Sequence, residues 1–111
     1  MAAAVKQGEG IGGLGRFAEP AVLVLVSLAE GPKHGYAIAA DVQAVSGVRM
    51  GPGTLYGAIA RLEERGLIEP VPSEDRRRPY RLTSSGATAL AGHLAMLERV
   101  TSAGRSRLEG A

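Results

Sequence analysis

The sequence predicts a mainly α chain with a small β-hairpin, which is an α+β fold class. Apolar residues recur at helical spacing in four segments, and between the third and fourth of these the period changes to two. Apolar types make up 45% of the 111 residues and aromatic types only 4%. A core built from Leu, Val, Ile and Ala favours helices over a β-sandwich, and the length suits one domain.

The first helix is expected from Phe17 to Glu30, after a glycine-rich segment. Residues 1–16 show no sustained period, which predicts a flexible arm. The helix itself is apolar on nearly every side, so it should be buried against more than one neighbour. The pair Gly31 and Pro32 ends it.

The second and third helices flank a short turn. The second lies within residues 33–47, where Gly47 closes it. Its apolar positions at helical spacing are Tyr36, Ile38, Ala39, Val42 and Val45. Pro52 suits the first turn of the third helix, which should cover residues 53–65. The expected inner face of that helix carries Leu55, Ile59 and Leu62, and its outer face mostly carries Thr54, Ala58 and Arg61.

The hairpin and the last helix follow. Residues 67–71 and 79–83 are strand candidates on either side of a charged loop, and their prolines suit edge strands better than a central strand. Thr83 can cap the last helix, in which Gly104 and Gly110 indicate a frayed tail. Its apolar seam, spaced as in a short coiled coil, comprises Ala87, Leu90, Leu94 and Leu97, continued by Thr101, Gly104 and Leu108.

Composition excludes several classes of protein. The chain has no cysteine, so disulfides and thiolate metal sites are excluded. Its longest apolar run, residues 21–29, is far shorter than the ~20 residues that span a bilayer. Glycines precede this run instead of the basic segment of a signal peptide. We therefore expect a soluble, cytoplasmic protein without a membrane partner.

Catalysis and metal binding are not expected. The only histidines, His34 and His93, lie on different elements, and two separated histidines do not form a metal site. His34 suits a helix cap or a phosphate contact, and His93 suits a surface or interface position. The chain also lacks a glycine-rich phosphate loop and convergent carboxylates, so we expect no catalytic residue and no cofactor.

The order helix, helix, turn, helix, hairpin, helix is that of a winged helix-turn-helix. In such a domain the second helix braces the third, whose outer face enters the DNA major groove beside the hairpin wing. The sequence thus predicts a DNA-binding domain over residues 17–83 and a C-terminal dimerisation helix over residues 84–111. A winged helix that contacts a protein instead of DNA is the alternative, because a fold does not fix a function.

Arginine at the predicted wing tip is the strongest sign of DNA binding. A planar guanidinium donates two parallel hydrogen bonds to phosphate, although acidic neighbours could make this a merely solvated loop. Tyr56 is either a DNA contact or a core ring, and Arg61 is either a groove contact or a partner of Glu64. The predicted DNA-binding residues are His34, Tyr36, Gly51, Pro52, Gly53, Thr54, Tyr56, Arg61, Arg76, Arg77 and Arg78.

Three motifs in this order resemble the PadR family of transcriptional regulators. Residues 31–38 (GPKHGYAI) are similar to its second-helix signature. Residues 53–56 (GTLY) with 62–68 (LEERGLI) are similar to its recognition helix. Residues 78–83 (RPYRLT) with Gly86 are similar to its second wing strand and the start of its last helix. The resemblance covers about residues 20–97. Departures are Gly57, where the family usually has proline, and Pro79, where a polar or aromatic residue is more usual.

The resemblance implies a homodimeric repressor in which the last helix pairs with the N-terminal helices of the partner. Two recognition helices about one DNA turn apart imply a pseudo-palindromic operator. Some members release DNA when a small aromatic compound binds, which leaves a small hydrophobic effector open here. Without tryptophan, an effector site between tryptophan rings is excluded. The predicted dimerisation residues are Val22, Val26, Leu90, Leu94, Leu97 and Thr101.

Overall fold

The computed structural model describes residue 11, residues 18–74 and residues 76–110, and within these ranges the chain forms four helices and three short strands. In chain order they are α1 (Ala18–Ala29), β1 (Lys33–His34), α2 (Gly35–Ser46), α3 (Pro52–Glu64), β2 (Ile68–Pro70), β3 (Pro79–Leu82) and α4 (Ser84–Gly110). The predicted α+β class is confirmed. The predicted arm over residues 1–16 lies outside the described residues, apart from Ile11, which is buried.

Helix α1 forms the centre of the core. Ala21, Val24 and Leu25 are completely buried, and the helix contacts α2, α3, α4 and β3. A helix that is apolar on nearly every side can bury its surface only when several elements surround it. The predicted burial of this helix on more than one side is therefore confirmed.

Helix α2 begins and ends with well-formed caps. At its start the backbone N–H of Ala37 donates to His34 Nδ1 at 3.3 Å, which is the cap that the sequence offered as one reading of His34. At its end Gly47 adopts φ +77°, and its N–H donates to the Gln43 carbonyl at 2.8 Å. Only glycine adopts this left-handed conformation without strain, so the predicted closing glycine is confirmed.

The apolar faces of α2 and α3 differ from those predicted. Tyr36 and Val45, which were placed on the apolar stripe of α2, are 76% and 64% exposed, because α2 buries only the narrow stripe that contains Ile38 and Val42. Ala58, which was placed on the outer face of α3, is fully buried. Its position completes the spacing of a helix face with the correctly predicted Leu55, Ile59 and Leu62.

The three strands form one antiparallel sheet in the order β1-β3-β2. The predicted hairpin is the β2–β3 pair, whereas β1 has only two residues and was not predicted. Strand β3 is central, so the prediction that its proline marks an edge strand is wrong. Pro79 is tolerated because it is the first residue of β3, and its carbonyl still accepts from the Val71 N–H at 2.9 Å.

Helix α4 is tied to the C-terminal end of α3 by Thr83. The Thr83 hydroxyl donates to the Gly66 carbonyl at 2.7 Å and accepts from the Gly86 N–H at 3.0 Å, while the Thr83 N–H donates to the Leu67 carbonyl at 3.1 Å. The predicted cap is confirmed. From it α4 continues through Gly104 to Gly110. No helix in the described ranges combines the length and apolar character that crossing a membrane requires.

Candidate nucleic-acid interface

Three parts of the chain converge around a shallow cavity of about 260 Å³. They are the junction of β1 with α2, the first turns of α3, and the charged loop that leads into β3. Six residues that the sequence proposed for DNA binding line it together with two that it did not propose. The lining residues are His34, Gly35, Tyr36, Tyr56, Arg76, Arg77, Arg78 and Tyr80.

Tyr56 projects from the second turn of α3 and packs against the start of α2. A Cβ atom built at Gly35 would lie 2.8 Å from Tyr56 Cζ and 2.9 Å from Tyr56 Cε1, so the ring occupies the space of a missing side chain. Tyr56 is nevertheless 52% exposed. It is therefore a surface ring with one edge packed on the chain, and its hydroxyl lies at the cavity.

Tyr80 also lines the cavity and lies on the central strand β3. Burial raises the pKa of its phenol, and the negative charge of Glu63 adds to the rise, while Arg78 opposes it. The phenol is thus neutral at physiological pH and can donate a hydrogen bond. Sequence reasoning missed Tyr80 and Gly35 as site residues, although each is flanked in the chain by residues it proposed or quoted.

The cationic rim of the cavity comes from the loop before β3. Arg76, Arg77 and Arg78 are all exposed. Arg81, the next arginine along the chain, instead donates to Glu69 Oε2 at 2.7 Å across the β2–β3 pair. Both partners are about half exposed, so this ion pair adds only a small stabilisation. It nonetheless aligns the two strands that carry the loop.

Lys33 belongs to the scaffold of the site. Its side chain is only 15% exposed, and its Nζ lies 2.8 Å from Glu30 Oε1 and donates to the Ser27 carbonyl. Asp41 Oδ2 lies 3.9 Å from the same nitrogen. These contacts hold β1 against α1 and α2, and β1 in turn pairs with β3 at Tyr80.

The start of α3 is exposed and lacks a side-chain cap. Gly51 precedes the helix without a capping side chain, so the first N–H groups of α3 point outward. Pro52, Gly53 and Thr54 are exposed as well, which suits close approach of an anionic backbone. Arg61, two turns further on, lies 3.9 Å from Glu64 Oε1, so the intrahelical pair considered from the sequence is present.

The residues proposed for dimerisation lie at two depths. Leu94 and Leu97 are 38% and 39% exposed on α4, and with Thr101 they line an open groove of about 500 Å³. Leu90, in contrast, is 5% exposed and belongs to the core of its own chain. Val22 and Val26 on α1 are half-buried and pack against that core. Beyond the buried Leu90, the seam is exposed again from Leu94 onward.

The chain is similar to one family of transcriptional regulators and to one curated protein. The family described as the transcriptional regulator PadR-like family matches residues 24–92. Over 69 residues the chain is 54% identical to an uncharacterized 37.1 kDa protein in transposon Tn4556 of Streptomyces fradiae. That match covers 62% of this chain and 20% of the relative, so the chain spans about a fifth of the length of that protein.

Solved structures similar to this fold include several regulators. A transcriptional regulator from Clostridium thermocellum is 28% identical with a TM-score of 0.69, covering 78% of this chain and 86% of that one. A PadR family transcription regulator from Clostridium difficile is 26% identical with a TM-score of 0.73, covering 79% and 96%. A PadR-like regulator from Bacillus cereus is 18% identical with a TM-score of 0.74, covering 83% and 93%, and this similarity concerns the fold alone.

Proposed function

Because the chain belongs to the PadR-like family of transcriptional regulators, we propose that it is a sequence-specific repressor that binds a pseudo-palindromic operator as a homodimer. Members of this family act as regulators of transcription rather than as enzymes. The observation that carries the proposal is the convergence of His34, Tyr56 of α3, Tyr80 and the three wing arginines around one cavity. In this proposal residues 17–83 bind DNA and residues 84–111 dimerise.

Helix α3 is the proposed DNA-recognition helix. Its apolar face, centred on Ile59, is held by α1, so the opposite face is free to enter a major groove about 12 Å wide. Gly51, Pro52, Gly53 and Thr54 at its start carry no bulky side chain that would keep the backbone away from DNA. Bases are then contacted from the first turns of the helix, as in other helix-turn-helix domains.

The wing arginines and the histidine cap are the proposed phosphate contacts. Arg76, Arg77 and Arg78 carry positive charge beside the start of α3, where the DNA backbone would pass. His34 Nδ1 accepts a hydrogen bond from Ala37, so the neutral ring carries its proton on Nε2. His34 lines the same cavity, and its Nε2–H is the group proposed to donate to a phosphate oxygen.

The exposed seam of α4 supports the proposed homodimer. Leu94, Leu97 and Val100 expose apolar surface over two turns of one helix, and a second copy would cover it. Replacing Leu94 with Asp forces a carboxylate into this seam, so we expect the variant to be monomeric and to lose operator affinity. Light scattering at matched concentrations measures the mass. A dimer of normal mass would contradict the assignment of the seam.

A small hydrophobic effector would fit the proposal at the α4 groove. All of its lining residues lie on α4, so a second copy would have to close this open groove before it could enclose a small molecule. Leu94 and Leu97 supply apolar lining, while Glu98 and Arg105 supply polar groups. A compound held there would change how two copies pair. Titration with small aromatic compounds should then lower operator affinity.

The central test is binding to the DNA upstream of the gene that encodes the chain. Fluorescence anisotropy across a salt series, with scrambled DNA as competitor, separates specific from non-specific binding. We expect tight, salt-dependent binding that survives the competitor. Equal, weak binding to upstream and scrambled DNA would contradict the proposed operator. Absence of DNA binding altogether would favour a winged helix that contacts protein, which pull-down experiments would then address.

A further inference from the structure

The close contact between Gly35 and Tyr56 joins two elements of the proposed DNA-binding face. Gly35 is the first residue of α2 and is buried, and the distal ring atoms of Tyr56 occupy the space where its side chain would be. The described glycines with positive φ are Gly31, Gly47 and Gly66, so the conformation of Gly35 is one that other residues adopt. Glycine is needed at position 35 for space rather than for backbone geometry.

The orientation of Tyr56 depends on this contact. The ring is 52% exposed, and no hydrogen bond to its hydroxyl is found among the described residues. The backbone of α3 fixes where the side chain starts but leaves χ1 more than one staggered position. Packing against Gly35, in the cavity that Tyr80 also lines, therefore decides where the hydroxyl lies.

We propose that Gly35 is a positioning residue for DNA recognition, which seats the Tyr56 ring so that its hydroxyl meets the DNA backbone beside the wing arginines. This inference rests on the proposed function. A side chain at position 35 would meet the far end of Tyr56, which can rotate away, and not a backbone atom. The expected consequence of a larger residue is thus a displaced hydroxyl in a chain that still folds.

A double-mutant cycle on the full chain tests the inference. Gly35→Ala, Tyr56→Ala and the double variant are compared by operator affinity and by Tm. We expect Gly35→Ala to weaken operator binding about fivefold, no more than removal of the Tyr56 hydroxyl would. Its salt slope should stay unchanged, because no cation is removed. The double variant should bind no more weakly than Tyr56→Ala alone.

Gly92→Ala is the matched control. Gly92 also lies in a helix, but a Cβ there would meet no atom within 4 Å, so this variant should bind as the wild type does. Losses that add in the double variant, wild-type affinity of Gly35→Ala, or unfolding of Gly35→Ala would each overturn the positioning role. Failure of the wild type to bind its upstream DNA specifically would instead contradict the proposed function.

Discussion

A side chain would collide with another part of the chain at Gly35 and at Gly86, and the colliding atoms differ in kind. At Gly86 the obstacle is the backbone carbonyl of Leu67, with Leu82 Cδ1 at 3.0 Å from the Cβ position. At Gly35 the obstacle is the tip of the Tyr56 side chain. A backbone atom cannot move without shifting its element, whereas a ring can rotate.

The comparison separates the part of the molecule that holds the fold from the part proposed to recognise DNA. Around Gly86 the contacts are hydrogen bonds of Thr83 with Gly66, Leu67 and Gly86. Around Gly35 the neighbours are half-exposed rings and exposed arginines. Substitutions at the α3–α4 junction should lower stability, and substitutions at the cavity should lower affinity while leaving stability nearly unchanged.

Gly86→Ala should give the largest effect. The new methyl group meets the Leu67 carbonyl, so the start of α4 must shift and break the Thr83 cap. We expect a loss of about 3 kcal/mol in the free energy of unfolding. Urea denaturation measures it, with Gly92→Ala as the control. That exposed control should instead gain about 0.5–1 kcal/mol, and equal behaviour of the two variants would contradict the comparison.

Replacing Arg76, Arg77 and Arg78 together with Ala should have the next largest effect, measured on operator binding. We expect a loss of about 2 kcal/mol in operator binding at fixed salt. The salt slope should fall by up to ~2.7, at ~0.9 for each phosphate contact. Arg99→Ala with Arg107→Ala removes charge from exposed positions of α4 and serves as the control. An unchanged slope in the wing variant would rule out phosphate contacts there.

Thr83→Val should give a smaller loss of stability. Valine keeps the shape but loses the hydroxyl that caps α4 and donates to Gly66. We expect about 1–2 kcal/mol from the lost cap and hydrogen bond. Thr83→Ser keeps the hydroxyl and should retain most of the stability in the same denaturation experiment. A Ser variant as unstable as the Val variant would point to packing of the methyl group instead.

Tyr56→Phe should have the smallest effect, again on operator binding. The ring that packs on Gly35 remains, and only the hydroxyl, which also lies against Gly35, is removed. We expect operator binding to weaken by about 1 kcal/mol with an unchanged Tm. Anisotropy and thermal unfolding measured on the same preparation separate the two quantities. A large fall in Tm would show that Tyr56 belongs to the core.

The helices and their ends could be read from the sequence because their signals are local. Gly47 marks a boundary through a left-handed conformation that few other residues adopt, and Pro52 marks one because the first turn of a helix does not need its missing N–H. Strand β1 could not be read, because two residues carry no period and are fixed only by pairing with β3. The edge assignment of Pro79 failed for the same reason: strand order depends on which distant segment supplies the third strand.

The candidate site was only partly readable. Motif order and clustered charge pointed to His34, Tyr56 and the wing arginines, which the fold brings around one cavity. Tyr80 and Gly35 depend on tertiary packing, since neither burial of a phenol nor an absent side chain leaves a periodic signal. The burial of Leu90 in the core of its own chain could not be predicted either, because the spacing of apolar residues along α4 does not show which helix covers each of them.

The Thr83 junction also has a geometric consequence for the proposed dimer. Ile68 pairs with Leu82 at the base of the hairpin, so the bonds of Thr83 close the wing and join the end of α3 to the start of α4. With 27 residues, α4 is about 40 Å long, so a small rotation at its start moves its far end by several ångströms. A shift of about 3–4 Å between two copies at its far end corresponds to a turn of about 5° at the junction. A small shift between the two subunits would therefore change the orientation of α3 and of the wing together.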